Sequence, residues 1–215
     1  MINEDTGITW DEYLEIFKKQ EWEKEILIHN ALMSGDEQRA REIIDIECGN
    51  LLHQQQRMLL IFAQDFKDPF ILYDLIISVY INDGYYFPKK LIQIAKRLSK
   101  QIPESQRLKG LPEGDVITVW RGTDCQALRT DISWTTDKKT AVWFANRHRK
   151  NEGCGNVWEA TIQRDKIIAY TNERGEKEII QHINVKNVHL LDIGPEEWKR
   201  CLEEREKEVT SKTEY

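Results

Sequence analysis

Apolar residues recur at helical spacing along the first half of the chain. Trp10, Tyr13, Leu14 and Phe17 are related by spacings of three and four residues, and a capping box formed by Thr9 and Glu12 lies at the start of this pattern. Such a box satisfies main-chain N–H groups at the start of a helix. The pattern therefore predicts an amphipathic helix from about residue 10.

Residues that stop or start helices divide the rest of this half into further helices. Gly ends a helix readily, Asp caps one, and Pro fits the first turn. A third helix is predicted over about residues 51–66. The predicted boundaries are Ser34–Asp36, Gly49, Asp68–Pro69, Gly84 and Pro88. The expected apolar stripes include Ile43, Ile44 and Ile46 in one helix, and Leu91, Ile92, Ala95 and Leu98 in another.

The periodicity changes after residue 105, where β-branched residues alternate with others as in a strand. Only one helix is predicted among the strands, capped by Asp137 and carrying Ala141, Val142, Phe144 and Ala145. Strands that follow one another in this way favour an antiparallel sheet. The predicted strands cover residues 116–120, 131–135, 156–163, 166–170, 178–183 and 187–191.

These patterns predict an α+β protein with three parts. Residues 1–105 form a helical region, residues 106–195 a domain built on the sheet, and residues 196–215 a charged C-terminal helix and tail, helical to about residue 208. No fixed-period repeat and no phosphate-binding glycine loop occurs in the sequence.

Charge and cysteine content narrow the functional classes. The chain has 31 Lys and Arg against 37 Asp and Glu, a net charge of −6, which argues against a constitutive nucleic-acid or anionic-membrane surface. Its apolar runs are too short to cross a bilayer, and the N-terminus does not resemble a secretion signal, so we expect a cytoplasmic location with reduced thiols. The four Cys and five His lack metal-ligand spacing, and no metal is expected. A grouping of Cys125, Cys154 and His148 is the alternative.

Tryptophan is unusually concentrated in the second half. Four of the seven Trp, Trp120, Trp134, Trp143 and Trp158, fall within 39 residues. An indole ring must pack or bind to be stable in a folded chain. The cluster therefore predicts either a strand core or a binding surface, with the core favoured for the three indoles on strands.

Three polar motifs lie in order on the predicted strands. Trp120-Arg121-Gly122 ends the first, Ser133-Trp134-Thr135 lies on the second, and Glu176-Lys177-Glu178 opens a late one. Alternate residues of a strand share a face. Ser133 and Thr135 are therefore expected to point together, as are Glu176 and Glu178.

The order and setting of these motifs resemble the mono-ADP-ribosyltransferases of the Arg–Ser–Glu class. The stretches VITVWRGTD, ISWTTDKKTAVWFANRH, GNVWEATI and IIAYTNERGEKEIIQHI are similar to successive parts of that family's split β-sandwich. The resemblance covers about residues 113–191. It implies an enzyme that uses NAD as a substrate, without a metal.

The resemblance also implies roles for the residues that would bind NAD. Arg121 would bind the NAD phosphates or the nicotinamide ribose with its planar donor fork. Gly122 would bind the nicotinamide carboxamide through its main chain, which requires close approach. Ser133 would support the catalytic glutamate, with Thr135 beside it.

Two glutamates would then carry out the chemistry. Glu178 would be catalytic, accepting a hydrogen bond from the ribose 2′-hydroxyl and stabilising the positive charge that develops as nicotinamide leaves. Glu176 would engage the incoming nucleophile. The aromatic platform for nicotinamide would be Trp143, Phe144 or Trp134.

The sequence departs from the family at the second motif, which is usually Ser-Thr-Ser, because Trp134 occupies its middle position. The acceptor stays open between a protein side chain, arginine included, and a nucleic acid. The resemblance implies an intracellular toxin, a phage modifier or a defence effector. Residues 1–105, which it does not cover, would recognise a target, gate the cleft or bind a neutralising protein. The alternatives are an NAD glycohydrolase, an RNA 2′-phosphotransferase-like enzyme, and a non-catalytic helical interaction protein with a degenerate transferase fold.

Overall fold

A computed structural model of the 215-residue chain describes residues 10–48, 53–82, 87–124, 132–152, 155–182 and 185–213. Several predicted features lie outside these ranges: the Thr9 cap, the boundaries at Gly49 and Gly84, the start of the third helix, Asp131, Cys125, Cys154 and Ile183. The described residues form two compact units, Met1–Ile102 and Pro103–Tyr215.

The first unit is helical throughout its described part. Its helices are α1 (Trp10–Ser34), α2 (Glu37–Glu42), α3 (Gln54–Phe62), α4 (Pro69–Asn82) and α5 (Lys89–Leu98).

Local sequence explains where several of these helices begin. The Asp36 carboxylate accepts from the Arg39 main-chain N–H at 3.0 Å, and the Asp68 carboxylate accepts from that of Phe70 at 2.8 Å. Both are side-chain caps of the predicted kind. The predicted stripe of α5 is confirmed, since Leu91, Ile92, Ala95 and Leu98 are all buried.

Two helical predictions in this unit were wrong in detail. Helix α2 continues into a π-helical segment, Ile43–Glu47, in which Ile43 and Ile44 are buried but Ile46 is 77% exposed. The wider π turn rotates later residues away from the α-helical face, so Ile46 leaves the predicted stripe. Helix α3 ends at Phe62 and not at Phe66.

The described residues of the second unit contain the sheet and three α-helices. Its helices are α6 (Glu104–Arg107), α7 (Lys138–Glu152) and α8 (Pro195–Thr213). Its strands are β1 (Val116–Thr123), β2 (Ser133–Thr135), β3 (Asn156–Gln163), β4 (Ala169–Thr171), β5 (Glu178–Ile180) and β6 (Lys186–Leu190).

All pairs of neighbouring strands are antiparallel. In the described residues the strands form one six-stranded sheet in the order β4-β5-β2-β1-β3-β6. The predicted mixed α+β class, with a helical N-terminal region and an antiparallel sheet, is confirmed. The predicted strand over 166–170 begins only at Ala169, because Arg164–Lys166 forms a 3₁₀ turn closed by the Ile167 N–H.

Apolar residues pack on both sides of this sheet. One cluster includes Val119, Trp134, Ile162 and Ile179. The other joins α7 and α8 to the sheet through Ala141, Ala145, Val157 and Cys201, which are buried. Helix α8 continues to Thr213, beyond the predicted end near residue 208, and is an integral part of this unit.

The four clustered indoles have different surroundings. Trp134 is 1% exposed in the core. Trp120 donates its indole N–H to the Glu159 carboxylate at 2.8 Å, and Trp158 donates to the Thr123 hydroxyl at 3.0 Å. These two hydrogen bonds connect strands β1 and β3.

Helix α7 approaches β1 most closely at Gly122. A Cβ atom added there would overlap the Ala141 carbonyl oxygen and the Ala145 nitrogen, and would lie 2.9 Å from Phe144 Cβ. Since two of these atoms belong to the helix main chain, they cannot move aside by a side-chain rotation. Glycine at position 122 therefore sets the distance between α7 and the sheet.

We predict that Gly122→Ala lowers the free energy of unfolding by about 3 kcal/mol, the upper end of the range for overpacking a core. Urea denaturation followed by circular dichroism measures this difference. Gly194→Ala is the matched control, because a Cβ at Gly194 meets no atom within 4 Å, and its effect should stay under about 1 kcal/mol. Equal effects of the two substitutions would contradict the prediction.

Candidate active site

The pairing of β2 with β5 brings the second and third motifs together. Thr135 lies opposite Glu178, and Ser133 lies opposite Ile180. Residues paired in this way share one face of the sheet. The Ser133 hydroxyl donates to Glu178 Oε1 at 2.5 Å, so the serine supports this glutamate directly.

Glu178 is a buried carboxylate, 4% exposed. Besides Ser133, it contacts the Arg174 guanidinium, whose Nη2 lies 2.9 Å from Glu178 Oε2. A buried carboxylate with a hydroxyl donor and a cationic partner is held in one orientation. Such a group can accept a hydrogen bond from a sugar hydroxyl and stabilise a positive charge that develops beside it.

Arg121 reaches this group of residues from the neighbouring strand. Its Nη1 donates to the main-chain carbonyl of Ser133. Strand β1 pairs with β2 at Trp120 and Thr135, and Arg121 and Gly122 lie beyond that pair. Both residues lie within β1, which continues to Thr123, so the prediction that the Arg-Gly pair ends the strand was wrong. Pairing with β3 continues to Thr123 and keeps them in the strand.

Glu176 does not lie on a strand. Strand β5 begins at Glu178, and Lys177 has a left-handed backbone with φ of 49°. The prediction that strand alternation places Glu176 and Glu178 on one side was therefore wrong in its reason. The two carboxylates are nevertheless brought together, because Arg174 Nη2 lies 3.0 Å from Glu176 Oε2 as well as 2.9 Å from Glu178.

Strand β2 holds the turn that carries Glu176. Thr135 donates its hydroxyl to the Glu176 carbonyl at 2.6 Å and accepts from the Asp137 N–H at 3.0 Å. The Thr136 N–H donates to the Lys177 carbonyl at 3.0 Å. Thr135 is thus hydrogen-bonded to the main chain on both sides, and its hydroxyl positions the turn.

Burial raises the pKa of the Glu176 carboxyl. Among the charged groups around it, Glu178 also raises this pKa, whereas Arg174 and Arg205 lower it. The net direction is upward, so Glu176 holds a proton more readily in the folded protein than in the unfolded chain.

Two aromatic residues named as candidate platforms lie on α7. Trp143 and Phe144 are half-buried and meet edge to face, with ring centroids 5.0 Å apart. Phe144 adjoins Gly122, since its Cβ would be 2.9 Å from a Cβ placed there. Trp134 is buried in the core instead, so Phe144 is the candidate whose Cβ adjoins the predicted nicotinamide contact at Gly122.

Two arginines near the carboxylates were not identified from the sequence. Arg174 belongs to the turn before β5, and its contacts depend on how that turn folds. Arg205 of α8 donates from Nη1 to the Gly175 carbonyl at 2.9 Å. A signal for Arg205 was present, because Trp198, Cys201, Leu202 and Arg205 follow the i, i+3, i+4, i+7 spacing of a buried helix face.

Comparison of the chain with family models, curated proteins and solved structures gave no match. The described residues contain no group of three or more His, Cys, Asp or Glu arranged to hold a metal ion. None of the helices in the described ranges has the length and apolar character needed to cross a membrane.

The raised pKa of Glu176 predicts a pH-dependent effect of Glu176→Gln on stability. In the wild type, ionising Glu176 costs more free energy in the folded protein than in the unfolded chain. The favourable contribution of Glu176 to the free energy of unfolding is therefore complete at low pH and is lost as the pH rises through the pKa of the folded state. The difference between the free energies of unfolding of the variant and the wild type should therefore shift in favour of the variant as the pH rises from about 4.5 to 7. Urea titrations at several pH values measure it.

Glu197→Gln provides a control of opposite sign. The hydrogen bond from Lys138 lowers the pKa of Glu197, so its contribution is present at neutral pH and lost on acidification. The deficit of this variant should be largest at neutral pH and disappear in acid. The same pH slope in both variants would contradict the assignment for Glu176.

Proposed function

We propose that the chain is an NAD-dependent mono-ADP-ribosyltransferase, with the second unit as its catalytic domain in a fold of the ADP-ribosyltransferase type. One observation carries the proposal: Ser133 donates to the buried Glu178 carboxylate while Arg121 binds the Ser133 main chain. The three residues that define the Arg–Ser–Glu class in the sequence resemblance are thus connected by hydrogen bonds.

The chemistry follows from the charge of Glu178. When the bond between ribose and nicotinamide breaks, the bonding electrons leave with nicotinamide and the ribose becomes positively charged. A carboxylate already fixed beside that ribose stabilises the charge without reorganisation. The hydrogen bond from Ser133 and the ion pair with Arg174 supply this fixed orientation.

The other residues have roles in binding the two substrates. Arg121 would bind a phosphate or ribose of NAD, Gly122 the nicotinamide amide, and Phe144 or Trp143 the face of the nicotinamide ring. Thr135 positions the turn of Glu176 through the 2.6 Å hydrogen bond. Glu176 would accept the proton of the attacking nucleophile, a task that suits a carboxyl with a raised pKa.

The acceptor is a macromolecule, either a protein side chain or a nucleic acid. A role as a cytoplasmic toxin, phage modifier or defence effector stays a prediction from the resemblance. The binding of a neutralising protein by the helical region stays a separate prediction, because the resemblance does not cover residues 1–105.

Glu178→Gln should lower the rate of nicotinamide release by at least about 100-fold, the usual effect of removing one group that stabilises transition-state charge. The amide keeps the shape of the carboxylate but not its charge. The measurement is nicotinamide release from NAD by purified protein, with circular dichroism to establish that the variant is folded.

Glu173→Gln is the matched control for this experiment. Glu173 is an exposed glutamate of the same turn, and its replacement should leave the rate unchanged. A fully active Glu178→Gln variant would show that another carboxylate is catalytic, and loss of activity in both variants would point to a general effect of the turn.

A second experiment distinguishes transfer from hydrolysis. The protein is incubated with NAD labelled in the adenylate part and a cell lysate, and the products are divided between nuclease and protease treatment. Label that resists nuclease and is released by protease identifies a protein acceptor, and the reverse identifies a nucleic acid. Label found only in free ADP-ribose would support the glycohydrolase alternative and overturn the transferase proposal.

A further inference from the structure

Arg205 is a buried arginine on helix α8, 5% exposed, whose guanidinium contacts the turn before β5. Its Nη1 donates to the Gly175 carbonyl at 2.9 Å and lies 3.6 Å from the Glu208 carboxylate. Its buried Nε has no hydrogen-bond partner among the described residues. Burying a charged group this deeply is costly unless hydrogen bonds and ion pairs offset the loss of solvation, and here the Gly175 carbonyl and Glu208 are the described partners.

The turn that Arg205 contacts carries Arg174 and Glu176. Within the turn, the Gly175 N–H donates to the Asn172 carbonyl at 2.9 Å, and the Lys177 N–H donates to the Asn172 side chain at 3.1 Å. Strand β2 holds the C-terminal end through Thr135 and Thr136. Arg205 adds an attachment from an element outside the sheet, at the residue immediately before Glu176.

Gly175 is a position where such an attachment has a large effect. Its φ of 70° is left-handed, a conformation that glycine adopts without strain but does not retain by itself. A hydrogen bond from a charged donor to the Gly175 carbonyl restricts this freedom. The direction of the chain into Glu176 therefore depends on Arg205.

The main chain of Glu178 and its hydrogen bond from Ser133 do not depend on the turn that Arg205 contacts. Glu178 belongs to β5, where it is paired with Thr135 of β2 and Thr171 of β4, and its carboxylate binds Ser133. Loss of the Arg205 contact should therefore move Glu176 and weaken the ion pair of Arg174 with Glu178, while the strand position of Glu178 and its hydrogen bond from Ser133 are kept. In the proposed reaction these two carboxylates serve different steps.

We propose that Arg205 is a positioning residue that fixes the turn Asn172–Lys177, so that Glu176 faces the acceptor and ADP-ribose passes to a macromolecule in preference to water. The inference rests on the proposed function and deepens it. It assigns control of the partition between transfer and hydrolysis to the C-terminal helix.

The test compares Arg205→Gln with wild type in the full chain. Total nicotinamide release measures cleavage of NAD, and acid-insoluble label from adenylate-labelled NAD in a cell lysate measures transfer. Transfer should fall about 10- to 100-fold, the effect of displacing a reacting group by about 1 Å. Cleavage should fall by a clearly smaller factor, because Ser133 still holds Glu178 when the Arg174 ion pair is weakened. A simple loss of folded protein would lower both in proportion.

Two further variants make the result specific. Arg205→Lys keeps the charge and one donor for the Gly175 carbonyl, so it should recover most of the transfer. Arg200→Gln is the matched control on the same helix, since Arg200 is exposed and pairs with Glu197 and Glu204 of α8 at 4.0 Å. It should leave the ratio of transfer to cleavage unchanged.

Amide hydrogen exchange tests the structural part without activity. In Arg205→Gln, exchange at Gly175 and Lys177 should accelerate about 10-fold, whereas exchange at Ile179 and Ile180 in β5 should be unchanged, because local opening is confined to the released segment.

A second variant serves if Arg205→Gln does not fold. Glu208→Gln removes the ion-pair partner of Arg205 and should lower the ratio of transfer to cleavage by a smaller factor.

The outcomes separate this inference from the proposed function. Absence of nicotinamide release by the wild type would overturn the proposed function and this inference with it. If the wild type turns over NAD, two results would overturn the role of Arg205 alone. One is that transfer and cleavage fall in proportion in the folded Arg205→Gln variant, and the other is that amide exchange in the turn is unchanged.

Discussion

The pairing of strand β2 with strand β5 determines the geometry of the candidate active site. It fixes Ser133 beside Glu178 and Thr135 beside the carbonyl of Glu176, and both hydroxyls then form hydrogen bonds. A shift of this register by one residue would turn Ser133 and Thr135 into the core and bring Trp134 out of it. The burial of Trp134, at 1% exposure, therefore protects the alignment of the polar groups. A large indole in the middle of the motif stabilises the register on which its two hydroxyl neighbours depend.

Charge balance is the second constraint on this site. Glu176 and Glu178 are close enough to contact one arginine nitrogen, and two ionised carboxylates at that distance repel each other strongly in a buried setting. Arg174 offsets the repulsion directly from the same turn, and Arg205 lowers the pKa of Glu176 from helix α8. Burial nevertheless prevails, because the pKa of Glu176 is raised overall. The site thus combines a carboxylate at position 178 that is held by Ser133 and Arg174 with one at position 176 that holds a proton more readily in the folded protein than in the unfolded chain.

Much of the fold could be predicted because its signals are local. Asp36 and Asp68 cap helices through side chains two or three residues from the amides they bind, and the stripe of α5 depends only on helical spacing. The order Arg121, Ser133, Glu178 was visible for the same reason, since each lies on a recognisable strand. The left-handed Lys177 and the contacts of Arg174 depend on strands that meet only in the folded chain. No local pattern specifies them, so the reason given for pairing Glu176 with Glu178 was wrong although the two are neighbours.

The C-terminal helix shows how composition can mislead about such a site. Residues 196–215 are rich in charge, which predicted a helix that frays into a tail. In the structure much of this charge is paired with helix α7 of the same unit: Glu197 binds Lys138, and Glu204 and Glu208 contact Lys139. Exposed ion pairs contribute little individually, but several on one face fix the orientation of α8 against α7. That orientation is what directs Arg205 at Gly175. Helix α7 also packs against Gly122 of β1. It therefore links the turn Asn172–Lys177, through α8, to the strand that carries Arg121.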